Sequence, residues 1–172
     1  MTRPVTAVCL ALTLIASTVL FAQSTGSTAN TTSPPDKSRL EAVLAAWASM
    51  DPSRAAGFYA KDPNAAFFDI APRKYTGWAE YEKGTAALFA TVKSLTLKLA
   101  DDAQLHRAGN VTWTTATVDG EMINKDGSSM KVDARWTTVW EKRAGKWLIV
   151  HEHFSMPLPE PAAKPTAAAR VQ

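Results

Sequence analysis

The tripeptide His151-Glu152-His153 is the strongest candidate for a chemical site in this chain of 172 residues. A carboxylate that is partly withdrawn from water has a raised pKa, which suits a general acid or base near neutral pH. Two histidines two positions apart in a strand project to the same side and can share a metal ion. A metal site usually needs further ligands, which Asp133 or Asp119 would have to supply. Nothing in the spacing demands this, and we assign no metal ligand.

The stretch around the tripeptide, residues 130–157, has the pattern of a β-hairpin. β-Branched and aromatic residues dominate both of its arms, which is strand composition. Arg143-Ala144-Gly145 fits a three-residue loop in which the glycine takes a positive φ. Such a loop pairs Lys142 with Lys146 and, further along the arms, Trp136 with Glu152.

Alternation along the strands assigns each residue to one face of the sheet, and a slip of one residue would exchange the faces. Lys125-Asp126-Gly127 is a second three-residue turn, which places Ala116 beside Trp136 and Thr114 beside Thr138. The first face is apolar with one carboxylate and holds Val118, Ala116, Thr114, Ala134, Trp136, Thr138, Trp140, Leu148, Val150, Glu152 and Phe154. The second face is polar and holds Thr115, Thr117, Asp119, Glu121, Lys131, Asp133, Arg135, Thr137, His151, His153 and Ser155.

Glu152 is therefore the leading catalytic candidate, because a carboxylate on a covered apolar face is costly unless it is paired or hydrogen-bonded. The alternative is a structural role, with Glu152 paired to a buried donor or reaching solvent at the end of the sheet. Its neighbours on the same face, Trp136, Thr138 and Phe154, are candidate ligand contacts.

The outward-facing residues Arg135, His151 and His153 have two possible roles. They form either a polar network at an interface or, if the register is shifted, further contacts to a ligand.

Three residues outside the hairpin complete the candidate site. Asp69 ends the strand that contains Phe67 and Phe68, and it is either a turn residue or a second catalytic base. Tyr59 lies on a short helix from which its hydroxyl could donate a hydrogen bond into a cavity. Trp47 lies on the buried side of the first helix and is either a core residue or part of the wall of that cavity.

The order of elements predicts an α+β fold. Ser38 and Glu41 form a capping box before an amphipathic helix, and Asp51-Pro52 ends that helix and starts a short second one. A strand over residues 65–70, a possible short strand at 74–76 and a third helix after Gly77 precede four long strands. A curved antiparallel sheet with about three N-terminal helices on one face is the packing that this order favours.

The two ends of the chain have a different composition from the middle. Residues 1–22 resemble a signal peptide, with Arg3 before an apolar run, and residues 23–36 are a Ser/Thr/Pro-rich linker. Residues 37–158 form one domain, and residues 159–172 a disordered tail. We therefore expect export to the periplasm or the medium, without a stable membrane span.

Composition excludes several classes of protein. Cys9, the only cysteine, lies in the predicted signal peptide, so thiol chemistry and disulfides are absent from the mature protein. The net charge of +3 comes from interspersed acidic and basic residues, which gives no support for binding nucleic acid. No Ser-His-Asp spacing, phosphate loop or dinucleotide fingerprint is present, and we expect no cofactor.

The order of elements and the C-terminal motif resemble the SnoaL-like branch of the nuclear transport factor 2-like (NTF2-like) superfamily over residues 38–157. The motif is Arg135-Trp136-Thr137-Thr138-Val139-Trp140, then Gly145-Lys146-Trp147, then Ile149-Val150-His151-Glu152-His153 and Ser155. The resemblance implies a cone-shaped fold with a pocket between sheet and helices. Members include ketosteroid isomerases, polyketide cyclases, dehydratases, epoxide hydrolases and non-catalytic domains, so the fold does not select one activity.

The resemblance also bears on single residues. SnoaL-like cyclases and epoxide hydrolases have a pocket Asp near the position of Glu152, so the glutamate is a departure by one methylene. Relatives often dimerise through the outer face of the sheet, which implies a homodimer. We expect an exported pocket protein that binds a small apolar molecule, and its acid/base residues allow isomerase-, cyclase- or dehydratase-like activity. The alternative is a non-catalytic binding or dimerisation module.

Overall fold

The computed structural model describes residues 32–70 and 72–158. The predicted signal peptide, residues 23–31 of the predicted linker, and the tail lie outside these residues. The elements, in chain order, are α1 (Lys37–Ala48), α2 (Pro52–Ala55), a 3₁₀ turn (Ala56–Phe58), β1 (Ala66–Phe68), β2 (Tyr75–Thr76), α3 (Gly77–Phe89), β3 (Val92–Leu99), β4 (Gln104–Ala108), β5 (Val111–Asn124), β6 (Ser129–Arg143) and β7 (Lys146–Ser155).

The predicted α+β class is confirmed. The strands of the described residues form one sheet in the order β2-β1-β7-β6-β5-β3, with β4 also paired to β5. The sheet is mixed rather than purely antiparallel, because β1 runs parallel to β7. Thus β1 lies beside the strand that carries Glu152, and the paired residues Phe67 and Glu152 are 85 positions apart in sequence.

The helix starts differ in one respect from the prediction. Asp36, not Ser38, is the N-cap of α1: its carboxylate accepts a hydrogen bond from the backbone N–H of Arg39 (2.9 Å). Ser38 lies inside the helix and donates its hydroxyl to Asp36. The predicted capping box is therefore wrong, because the residue with extended backbone just before the helix already carries a suitable acceptor. Asp51 caps α2 as predicted, accepting from Ser53 N (3.0 Å).

An interruption at Asp101-Asp102 separates β3 from β4. Both segments pair with β5, so the edge of the sheet continues past the break. The carboxylate of Asp102 accepts hydrogen bonds from the backbone N–H and the hydroxyl of Thr117 (2.9 and 3.0 Å). Asp102 therefore replaces part of the strand pairing at the bend.

The turn between β6 and β7 is shorter than predicted. Arg143 pairs with Lys146, so only Ala144 and Gly145 form the loop. Both have positive φ values, 47° and 82°, as in a type I′ turn whose twist matches that of the strands. The predicted three-residue loop, with Lys142 opposite Lys146, is wrong because Ala144 adopts the left-handed conformation that had been assigned to glycine alone.

A β-bulge lies further along the same pair of strands. Trp140 pairs with Ile149, whereas the preceding residue, Val139, pairs with His151. Val150 is therefore an extra residue in β7 that has no partner in β6. The alternation of the predicted strand did not reveal this insertion.

The turn and the bulge together leave Glu152 on the inner face. One residue fewer in the loop and one extra residue at the bulge shift the pairing by two positions, which preserves the face. Thr138, and not Trp136, is directly opposite Glu152, but all three side chains are on the same side. Nearer the turn the face changes: Ile149 is fully buried beside the helices, where Leu148 was expected.

The core lies between the inner face of the sheet and the helices. The three large side chains Trp136, Trp140 and Trp147 are fully buried on the sheet side. Rings from the first half of the chain meet them, and Trp47 lies within 6.3 Å of Tyr59, Trp78, Tyr81 and Phe89, measured between ring centroids. Within residues 32–70 and 72–158, no helix is both long and apolar enough to span a bilayer.

Candidate active site

Glu152 is a buried carboxyl group with three donors directed at it. Its side chain lies on the inner face of β7, and only 2% of the residue is exposed. Oε1 accepts a hydrogen bond from the indole Nε1 of Trp136 (2.5 Å). Oε2 accepts from the hydroxyl of Tyr59 (2.5 Å) and, at a longer distance of 3.4 Å, from that of Tyr81.

A second indole fixes the direction of this network. Trp47 donates its Nε1–H to the hydroxyl oxygen of Tyr59 (2.8 Å). Because an indole can only donate, the Tyr59 hydroxyl must direct its own proton towards Glu152. The hydrogen bond from Trp47 to Tyr59 therefore orients the Tyr59 hydroxyl as a donor to the carboxylate of Glu152. Trp136 donates a second hydrogen bond to it from the sheet.

Two influences oppose each other in the pKa of Glu152. Burial raises this pKa from 4.5 to about 7, since the charged form loses its hydration. Hydrogen bonds from Tyr59, Trp136 and Tyr81 act in the opposite direction by stabilising the carboxylate, and the nearby charge of Asp69 raises the value further. Glu152 thus exchanges its proton near neutral pH.

The two tyrosines remain protonated donors under the same conditions. Burial raises the pKa of Tyr59 and of Tyr81 well above 10, and the charge of Glu152 raises both further. Neither hydroxyl competes with Glu152 as a proton acceptor near neutral pH. They hold the carboxylate in place and direct hydrogen-bond donors towards it.

Glu152 borders an apolar cavity of about 250 Å³. The helices contribute Leu44, Trp47, Tyr81 and Phe89 to its wall, and the sheet contributes Leu97, Met122, Val132 and Phe154. Ile70, another lining residue, is 41% exposed. The cavity therefore extends from solvent near Ile70 to the buried carboxyl group of Glu152.

Asp69 is the second carboxyl group of the cavity wall. It is partly buried, and its Oδ1 accepts a hydrogen bond from the backbone N–H of Ile70 (2.7 Å). Burial raises the pKa of Asp69 from 3.8 to about 6, against the lowering effect of that hydrogen bond. Asp69 therefore lies in the cavity wall, and its role as a second catalytic base stays a prediction.

The structure brings together most of the predicted inner-face residues. Trp47 and Phe154 line the cavity, and Trp136 and Tyr59 hydrogen-bond to Glu152. Thr138 does not reach the cavity. Its hydroxyl is buried in a hydrogen bond with that of Thr114 (2.6 Å) and accepts one from Trp140 Nε1 (2.6 Å), so its predicted role in ligand contact is corrected.

The outward-facing residues lie apart from the cavity. Arg135 and His153 are exposed on the outer face, and half-buried His151 donates from Nδ1 to the carbonyl oxygen of Ala66 (2.7 Å). Both imidazole rings contact the edge of Phe68, with centroids 5.5 and 5.6 Å apart. The ligand contact considered for these three residues needed their side chains to lie on the inner face, and the structure keeps them on the outer face. In the part of the chain that the structure describes, no three His, Cys, Asp or Glu residues cluster as a metal site.

Tyr81 is the site residue that the sequence analysis missed. Its position on the buried side of α3 indicated packing, and this packing exists: its ring stacks on that of Phe67 with centroids 5.0 Å apart. A buried tyrosine hydroxyl usually has a hydrogen-bond partner, and that signal pointed to a polar group opposite α3. It could not identify Glu152, because the contact depends on how α3 crosses the sheet.

A sequence model of the SnoaL-like domain matches residues 37–159. The chain belongs to the SnoaL-like family. No curated protein sequence matches it significantly. The match includes every site residue described above, so the cavity lies inside the SnoaL-like domain.

Solved structures of the NTF2-like superfamily and of other proteins share the fold of this domain. An NTF2-like superfamily protein from Salmonella enterica has a TM-score of 0.65 at 21% identity, over 74% of this chain and 92% of that one. A proposed aromatic ring hydroxylase from Novosphingobium aromaticivorans gives 0.62 at 18%, over 70% and 85%. A proposed dehydratase of the NTF2-like family from Streptomyces avermitilis gives 0.60 at 14%, over 70% and 92%. At these identities the similarity establishes the fold alone.

Proposed function

We propose that this SnoaL-like protein binds a small, largely apolar molecule in its cavity and transfers a proton to or from it through Glu152. The observation that carries the proposal is the position of Glu152, a buried carboxyl group at the inner end of an apolar cavity that opens to solvent near Ile70. A carboxyl group with a pKa of about 7 is populated as both acid and base at neutral pH. A carboxyl group that served only to stabilise the fold would not need to border an open cavity.

The hydrogen bonds around Glu152 suit a fixed base. Trp136 and Tyr59 occupy one position on each oxygen, and a carboxylate has further lone pairs with which to accept a proton. Tyr81 lines the cavity and keeps its proton, so it can donate to negative charge that develops on a bound molecule. Glu152 and Tyr81 can therefore act on a substrate that has an acidic C–H bond or an oxygen leaving group.

The proton transfer can be tested without the natural substrate. In 5-nitrobenzisoxazole, a base removes the ring C–H proton while the N–O bond breaks, and a coloured nitrophenolate forms. We expect catalysis that rises with pH around 7, as Glu152 ionises. Glu152→Gln should lower the rate about 100-fold, as expected for loss of a general base. Glu121→Gln, on the exposed outer face, is the matched control and should leave the rate unchanged.

Two further variants separate chemistry from folding. Tyr59→Phe removes a donor that lowers the pKa of Glu152, so the midpoint of the pH–rate profile should move to higher pH. Val132→Phe fills the cavity wall and should abolish catalysis while the domain still unfolds cooperatively. Equal rates for wild type and Glu152→Gln, in a folded protein, would refute the proposed chemistry.

We also propose that two copies associate through the outer face of the sheet, because this face exposes large apolar side chains. Trp113 is 41% exposed and stacks on His106, with ring centroids 5.3 Å apart. Phe68, beside His151 and His153, is also exposed. Self-association would cover these side chains and would leave the cavity, on the other side of the sheet, accessible. Export, with cleavage after residue 22, remains a prediction from the N-terminal sequence.

A further inference from the structure

We infer that the ligand of the cavity carries a protonated amine, held by Asp69 at the open end, on a compact apolar body that extends towards Glu152. The inference rests on the proposed function, since it names the chemical class of the molecule that the same cavity binds. Three features of the cavity lead to it: its hydrogen-bonding groups, its aromatic wall and its size.

The polar groups of the cavity wall accept more hydrogen bonds than they donate. Asp69 and Glu152 are acceptors when ionised, and no described residue donates to Oδ2 of Asp69. The hydroxyl of Thr85 directs its proton to the backbone carbonyl of Tyr81 (2.8 Å). The indole N–H of Trp47 is donated to Tyr59. Among the described lining side chains the hydroxyl of Tyr81 is the remaining donor, and it points to Glu152. A ligand that brings its own donors matches this wall.

Charge excludes the opposite class of ligand. Among the described lining residues there is no Lys, Arg or His, whereas two carboxyl groups face the cavity. An anionic ligand would meet like charge without a counter-ion, which is costly in a site of low polarity. A cation would pair with Asp69, which is partly exposed, so the cation would keep part of its hydration.

The aromatic wall also favours a cation. Trp47, Tyr81 and Phe89 line the cavity from the helix side, and the ring centroids of Trp47 and Tyr81 lie 5.1 Å apart. The face of an aromatic ring attracts a cation within about 6 Å of its centre. The same rings pack against an apolar body, so one wall serves both parts of the ligand.

The volume limits the size of the apolar body. An apolar cavity of about 150 Å³ holds one benzene molecule. At about 250 Å³, this cavity has room for one aromatic ring and a short aliphatic chain. A chain of two carbons between ring and ammonium group therefore defines a suitable probe.

Three probes of similar shape and different charge test the inference by calorimetry at pH 7: 2-phenylethylamine, 2-phenylethanol and phenylacetate. We expect the amine to bind about tenfold more tightly than the alcohol, as a charge-assisted hydrogen bond implies, and the acid to bind most weakly. Asp69→Asn should reduce the preference for amine over alcohol to about one. Asp133→Asn, which removes an exposed carboxylate from the outer face, should leave it unchanged.

Proton release gives a second measurement. Burial keeps Asp69 and Glu152 partly protonated near pH 6, and a bound cation stabilises their ionised forms. Binding of the amine at pH 6 should therefore release protons, seen as a binding heat that depends on the ionisation enthalpy of the buffer. The alcohol should release none.

The outcomes separate this inference from the proposed function. An amine that binds no more tightly than the alcohol, or a preference that survives Asp69→Asn, overturns the inference. If the alcohol still binds, and Val132→Phe abolishes its binding, the cavity remains a ligand site and the proposed function stands. Failure of all three probes also overturns the inference, and the nitrobenzisoxazole assay then decides on Glu152 independently.

Discussion

Glu152 is a residue whose burial is costly and whose hydrogen bonds offset only part of the cost. Trp136 and Tyr59 each donate at 2.5 Å, and both are themselves fully buried. Desolvation nevertheless outweighs these bonds, because the pKa of Glu152 lies above its ordinary value. A residue selected for stability alone would be apolar or fully paired with a cation. The remaining excess cost is consistent with a functional role.

The first prediction concerns the pH dependence of stability. The folded protein holds the Glu152 proton up to about pH 7, whereas the unfolded chain releases it near 4.5. Between these values the folded state binds more protons, so the stability present below pH 4.5 is lost as pH rises through 7. We expect the free energy of unfolding to fall by about 3 kcal/mol relative to Glu152→Gln over that range. Denaturant unfolding at several pH values measures this.

Glu121→Gln serves as the control for the pH series, because its carboxylate is exposed on the outer face. Its stability curve should run parallel to that of the wild type. Asp69, whose pKa is also raised by burial, is present in all three proteins, so its own desolvation contributes to all three curves. A constant difference between wild type and Glu152→Gln from pH 4.5 to 8 would show that Glu152 does not titrate near neutral pH.

At the level of elements, alternation predicted the face of Glu152 but not its partner. Periodicity in β6 and β7 gave the inner face, and two one-residue errors, at the turn and at Val150, compensated for each other. A bulge has no sequence signal when the extra residue, here Val150, is β-branched like the residue before it. For that reason the sequence analysis placed Leu148 on the inner face, where the structure has Ile149.

Contacts between elements that are distant in the chain could not be predicted from the sequence. Asp69 and Tyr81 reach the same cavity because β1 runs parallel to β7 and α3 crosses the inner face of the sheet. The local pattern predicted that Trp47 lies on the buried side of α1, and the structure places it there. The angles at which the elements pack decide which buried polar groups meet.

The second prediction concerns the turn between β6 and β7. Ala144 has a φ of 47°, a left-handed conformation in which a side chain other than that of Asn or Asp is strained. Asn-Gly is the preferred pair for this turn type. Ala144→Asn should raise the free energy of unfolding by about 1 kcal/mol, measured by thermal or denaturant unfolding. Ala108→Asn, at an exposed strand position, provides the control and should give no gain; equal effects would contradict the explanation.

At the scale of the whole molecule, one sheet separates two surfaces of different character. The inner face, under α1 and α3, holds the cavity and the Glu152 network. The outer face carries charged residues together with exposed Trp113 and Phe68. Because alternate residues of the same strands supply the two faces, changes on one face need not disturb the other.

The third prediction concerns the assembly. If two copies associate through the outer face, light scattering should give the mass of a dimer for the wild type. Trp113→Glu adds charge to that face, and so does His153→Asp. Each of these single variants should shift the mass to that of one chain. Ala87→Glu adds the same charge on an exposed position of α3 and should leave the dimer intact. A wild-type mass of one chain at every concentration would refute the dimer.

The unpaired Val150 has a consequence for comparing this hairpin with that of other proteins. Removing it would leave Trp140 opposite Ile149 and Val139 opposite His151, so a related chain can lack this residue and keep the same partners. An alignment must then open its gap at position 150. A gap placed in the turn instead would shift only the residues between the turn and position 150, so the residue equivalent to Leu148 would stand in the column of the buried Ile149.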